Sequence, residues 1–183
     1  KLQSLSRLSG SNELEFLRSH PLTKKRISDA QSRAREFEGS NYRNALEYEL
    51  VKARSVVHFA QLPRQAIREF DQKLRRAKSD EESLIAEYGL ALSHSKNSDN
   101  EDALQFMRNA LNKDKDNLLI QIGLLEVHIA AANSFEAEAL AVSLLQLNPD
   151  NYPISMLYNR ILMNKGDYEK GAEVLRILTL KRP

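Results

Sequence analysis

The 183 residues are 42% hydrophobic and 28% charged, with six Gly, five Pro and neither Cys nor Trp. That apolar share supports a buried core and is too high for a disordered tail, while the lack of Cys excludes disulfides, thiolate zinc sites, iron–sulfur clusters and cysteine nucleophiles. The net charge of +2 gives no electrostatic case for nucleic acid or an anionic membrane.

No apolar run reaches the roughly 18 residues of a membrane span, and KLQSLSRLSG has no apolar h-region, so no signal peptide is expected in these residues. Residues 1–41 predict a short helix, a break at His20-Pro21 and a second helix from about Thr23 to Glu38. The break follows from Pro21, which biases His20 away from helical geometry. Ile27, Ala30, Ala34 and Phe37 give the second helix a narrow apolar stripe. Its Lys24-Lys25-Arg26 run reads as a solvated face. Val/Ile/Thr clusters with period-two alternation are absent, so strands are not expected.

From residue 42 onward the chain reads as paired amphipathic helices. Leu46, Leu50, Ala53 and Val57 form one stripe; Pro63 then opens a second helix with Ala66, Ile67, Phe70 and Leu74 inward. Downstream a period of 34 takes over. The segment ends near Lys115, Pro149 and Pro183 are spaced by it, as are the apolar sets Met107/Ala141/Leu175, Ala110/Leu144/Leu178 and Leu90/Leu124/Tyr158. Polar breaks (SKNSDN, AANSF, NKGDY) divide each unit in two. The expected units are about 42–79, 84–115, 118–149 and 152–183. Asp80, Ser98 and Asp167 stand where N-caps are wanted, and Asn133 with Glu136 has capping-box spacing. Gly166 lies in a turn where a positive φ is plausible, whereas Gly89 lies mid-helix and is expected to accept Ala.

A 34-residue helix–turn–helix unit ending in an Asx–Pro stop resembles the tetratricopeptide (TPR) repeat. The expected fold is therefore all-α: a TPR-type α-solenoid of about four units preceded by one or two helices. First helices of such units line a concave surface. The residues expected there are Tyr48, Val51 and Phe59, then Ile85, Tyr88 and Leu92, then Leu119, Ile122 and Ile129, and finally Met156, Arg160 and Met163. So apolar a groove reads as a site for a peptide or protein partner.

The N-terminal segment adds a second resemblance. Phe16-Leu17-Arg18-Ser19-His20-Pro21, followed by Arg26-Ile27 and Asp29-Ala30, resembles a segment of zinc metallopeptidases lying downstream of their H-E-x-x-H helix. With Arg43-Asn44-Ala45-Leu46-Glu47-Tyr48, Tyr88-Gly89-Leu90-Ala91-Leu92 and Asn148-Pro149-Asp150-Asn151-Tyr152-Pro153, the chain is similar to periplasmic β-barrel assembly-enhancing proteases. That resemblance implies a peptidase-domain tail over 1–41, a TPR domain over 42–183 and a periplasmic location. It also implies partners among the outer-membrane assembly machinery and zinc in a longer parent protein, where His20 is a candidate ligand. The four histidines, at 20, 58, 94 and 128, form no H-E-x-x-H, so these residues are expected to carry no reaction and no cofactor. A free-standing TPR adaptor is the alternative. His94 and His128 stand one period apart, but Leu162 follows them, so packed, hydrogen-bonded imidazoles are expected rather than a metal ladder.

Overall fold

The computed structural model describes residues 46–181. The His20-Pro21 break and the helix expected from Thr23 to Glu38 lie outside the described residues. Within them the chain is all-α: eight helices and no strand. In chain order these are α1 (Leu46–Phe59), α2 (Pro63–Arg76), α3 (Asp80–Lys96), α4 (Asn100–Lys113), α5 (Leu118–Ala130), α6 (Ser134–Leu147), α7 (Tyr152–Lys165) and α8 (Tyr168–Lys181). The third helix begins at Asp80, four residues before the boundary expected at 84.

Local chemistry explains where these helices start and stop. Pro63 occupies the first turn of α2, where its missing N–H is no loss. The Ser79 hydroxyl accepts from Glu82 N at 3.1 Å, and the Glu82 carboxylate accepts from Lys78 N at 2.6 Å. Ser79, not Asp80, is thus the cap of α3, and Asp80 is its first helical residue. Asn117 and Asn151 cap α5 and α7 in the same way. Ser98 is not a cap either; it takes φ of 67° in the turn, and Asp99 holds the cap position of α4. Asp167 does meet its expectation, accepting from Lys170 N at 3.4 Å. Gly166 closes α7 in the left-handed region at φ of 81°, where L side chains are strained.

Packing follows a nearest-neighbour pattern consistent with a helical repeat. Each odd helix pairs with the even helix that follows; α2, α4 and α6 then pack on α3, α5 and α7; and α1, α3, α5 and α7 touch in succession. The even helices bury one spacing: Ala103, Met107 and Ala110 in α4, then Ala137, Ala141 and Leu144 in α6. The odd helix α3 is covered over most of its surface, burying Leu84, Ala86, Glu87, Tyr88, Gly89, Leu90, Ala91 and Ser93 and leaving Leu92, Ser95 and Lys96 at its open edge. One apolar cluster joins α1 to α5 and a second joins α5 to α7, so α5 serves both: Ile120 and Val127 face one cluster, Ile122 and Leu125 the other.

Gly89 overturns the expectation that its place accepts Ala. A Cβ there would sit 2.4 Å from Cδ1 and Cε1 of Phe70, a ring that is fully buried. Gly123, one period later, is equally constrained: its Cβ would lie 2.8 Å from the Tyr88 ring and 2.9 Å from Met107 Cε. Glycine is required at these places by close approach, not by backbone conformation. Gly166, by contrast, has open space around it and is held to glycine by φ alone. Gly89→Ala is therefore expected to destabilise the chain by about 1–3 kcal/mol through overpacking. Urea denaturation checks this, and wild-type stability in that variant would show that Phe70 yields without cost.

Candidate functional site

A groove of about 750 Å³ runs along the odd-numbered helices. Its walls come from α1 (Val51, Arg54, Ser55, His58, Phe59), α3 (Leu92, Ser95, Lys96), α5 (Leu119, Glu126) and α7 (Arg160). Side chains of one helix face recur every 3–4 residues, and the 34-residue period carries that face from helix to helix. Two ladders result: Arg54, Tyr88, Ile122 and Met156, and beside it His58, Leu92, Glu126 and Arg160.

A polar network crosses the floor. The Arg54 guanidinium donates to the Tyr88 hydroxyl at 2.8 Å and to Glu126 Oε1 at 2.6 Å, and Tyr88 donates in turn to the carbonyl of Leu119 at 3.3 Å. Burial opposes the charge on Arg54, yet its hydrogen bonds to Glu126 and Tyr88, with the Glu126 charge, raise its pKa above the ordinary arginine value. The Tyr88 phenol is also pushed up, by burial first, with Arg54 partly offsetting the effect. Nearby, Lys96 Nζ donates to the carbonyls of Val57, His58 and Ala60 at 2.8, 3.0 and 3.1 Å. It neutralises the negative end of α1 from the adjacent helix.

Of the twelve residues expected in the groove, Val51, Phe59, Leu92, Leu119 and Arg160 line it. The other seven do not line it, and for Tyr88 and Ile122 burial overturns the expectation. Tyr88 is fully buried and shows the groove's polar network only its hydroxyl; Ile122 is 6% exposed and belongs to the core. Ile129 packs, half-buried, on the second apolar cluster, and Met156 is likewise half-buried. Ile85 lines a separate cleft of about 450 Å³ between α1, α2 and α3. Met163 lies against Gly171 of α8, and Tyr48 is exposed outside the groove. For Tyr88, Ile122, Ile129 and Met156 the cause is coverage: the interior odd helices are wrapped by neighbouring pairs, so residues one step off the packing stripe are buried or half-buried. Arg54, His58, Lys96 and Glu126 line it without having been expected, because in a sequence a charged helix position reads as ordinary solvated surface. Stepping 34 back from Tyr88, or from Arg160, finds Arg54 and Glu126.

The two repeat-spaced histidines serve turns. His94 Nδ1 lies 3.2 Å from Asp99 Oδ2, its ring stacked on Phe106 with centroids 5.5 Å apart. His128 Nδ1 lies 3.4 Å from Asn133 Nδ2. Asn133 thus spends its side chain on the preceding histidine and makes no cap bond of its own, so the expected capping box does not form. Asp99 is held below the usual carboxylate range by Asn97 first and His94 second. No group of three or more His, Asp or Glu that could hold a metal occurs among the described residues. No helix among them is long and apolar enough to cross a membrane. No known protein family, curated protein or solved structure matches the chain.

The site generates two expectations. Arg54 and Glu126 keep side-chain exposures of 32% and 29%, which places their ion pair between exposed and buried cases. A double-mutant cycle with Arg54→Met and Glu126→Gln should return a coupling of about 1–2 kcal/mol; additive effects would show that the contact carries no stability. Burial lowers the His128 pKa below its ordinary 6.5. The folded state therefore resists a proton that the unfolded chain accepts, and stability present above that value is lost as pH falls through the folded one. His128→Leu, which copies Leu162 one period on, should flatten the decline in Tm between about pH 7 and 5. An unchanged pH slope would remove His128 as its source.

Proposed function

We propose that the described helices form a TPR-type array whose groove captures a segment of a partner protein. One observation carries this reading: the groove draws side chains from all four odd helices at repeat-spaced positions, offering exposed apolar surface beside a fixed ion pair. Exposed Val51 and Phe59, at 50% and 79%, supply apolar area that the chain's own core leaves uncovered. Convergent apolar and polar groups in a preformed groove suit peptide recognition.

The resemblance of the His20-Pro21 segment and the NPDNYP turn to β-barrel assembly-enhancing proteases supports a narrower reading. In it the array is the recruiting part of a periplasmic zinc metallopeptidase, delivering outer-membrane proteins or their assembly machinery to a catalytic domain. An H-E-x-x-H helix encoded upstream of Lys1 is the expected finding; its absence would leave a free-standing adaptor.

Capture itself is tested at Val51. Val51→Glu should leave helicity unchanged and stability within about 0.5 kcal/mol of wild type, because the side chain is exposed. The same variant should weaken binding of an unfolded β-barrel outer-membrane protein, measured by fluorescence anisotropy, by at least about ten-fold. Undiminished binding would move the capture surface away from this groove.

A further inference from the structure

We infer that the groove selects a partner segment in which a side-chain carboxylate is flanked by apolar residues, with Arg160 receiving the carboxylate. The inference rests on the partner-capture reading and adds the chemistry of the captured segment. Three cations border the groove, Arg54, Lys96 and Arg160, against the single carboxylate of Glu126. They are not equivalent. Arg54 is committed to Glu126 and Tyr88, and Lys96 to three carbonyls at the end of α1. Arg160 is exposed and has no ion pair or hydrogen bond among the described residues.

Arg160 stands one period beyond Glu126 and two beyond Leu92, so it ends the ladder on which its own kind of partner would be expected. The carboxylate of Glu126, one helix back, is already occupied by Arg54. A planar guanidinium with five donors and no acceptor is matched best by a carboxylate, and an apolar wall beside it strengthens that pairing by lowering the local dielectric. Leu92 and Leu119 are the apolar residues that line the groove between Val51 and Phe59 at one end and Arg160 at the other. Helix axes 8–10 Å apart make the run from α1 to α7 roughly 24–30 Å, the length of about seven to nine extended residues. A segment of that size spans from the apolar end at Val51 and Phe59 to the cation at Arg160.

The other clefts carry less. That between α1, α2 and α3 has an apolar floor, but Lys52 is paired with Glu49 and Lys73 with Glu69 on its rim.

The test uses the full chain and four fluorescein-labelled nonapeptides. Three are blocked at both ends and alternate leucine with glutamate, glutamine or lysine; the fourth is the glutamine peptide with a free C-terminal carboxylate. Anisotropy should show the glutamate peptide binding at least ten-fold tighter than the glutamine peptide, with the ratio shrinking as salt rises. Arg160→Gln should reduce that ratio to within about two-fold without changing affinity for the glutamine peptide, and Arg160→Glu should favour the lysine peptide. Circular dichroism should be unchanged in both variants, since the side chain is exposed. If the glutamine peptide binds wild type as well as the glutamate one, or the ratio survives Arg160→Gln, the carboxylate assignment falls while partner capture stands. Preference for the free C-terminus over the internal glutamates would also overturn it. If none of the four binds, both readings fall together.

Discussion

The approach of the Phe70 ring to Gly89 sets the distance between the first helix pair and the second, and much else depends on it. An aromatic ring occupies the space of a missing Cβ. This lets α2 lie against α3 closely enough for the opposite side of α3 to meet α4 and α5 as well. A helix covered over most of its surface must place small residues where backbones converge and large ones where gaps open. Gly89, Ala86, Ala91 and Ser93 are the small set in α3, and Tyr88 and Leu90 the large one. Gly123 repeats the device in α5 with Met107 in the role of Phe70, a flexible thioether where the first interface has a rigid ring.

The same constraint shapes the groove. Because α3 is largely covered, Tyr88 reaches the open side only through its hydroxyl, and that hydroxyl needs a partner at the boundary. Arg54 supplies one and goes on to Glu126, two periods and one helical turn away in sequence. Residues from α1, α3 and α5 are thereby tied in one network, where simple helix packing would join only neighbours. The network ties the odd helices together under the groove, so the groove's shape is preformed within the chain itself. Desolvating Arg54 is tolerable only because two acceptors meet it.

How far this was legible in the sequence varies by level. The 34-residue period and the helix pairs are visible because apolar stripes and polar breaks recur, and Pro63 and the Asx caps punctuate them. Helix rotation is harder. Tyr48, Val51 and Phe59 are exposed in α1, while the residues one period on, Glu82, Ile85 and Ser93, range from exposed to fully buried. A single sequence does not say which faces neighbouring helices will cover, so one rule of rotation served Val51, Leu92 and Leu119 and failed Tyr88 and Ile122. Gly89 shows the same limit: helix propensity favours Ala there, and only the position of Phe70, nineteen residues earlier, reverses the sign.

Polar residues in the groove follow a different logic from apolar ones, and the period helps more with them. A charged residue inside a repeat ladder that is otherwise apolar has to be satisfied across the ladder, because its own helix offers it no partner on that face. Arg54 and Glu126 stand in adjacent ladders, two periods plus one helical turn apart in sequence, and they meet. Arg160 occupies the next position of the Glu126 ladder, exposed and without an ion pair among the described residues. The reasoning that explains the closed pair therefore also singles out Arg160 as the open cation of the groove, and the proposed partner carboxylate rests on that difference.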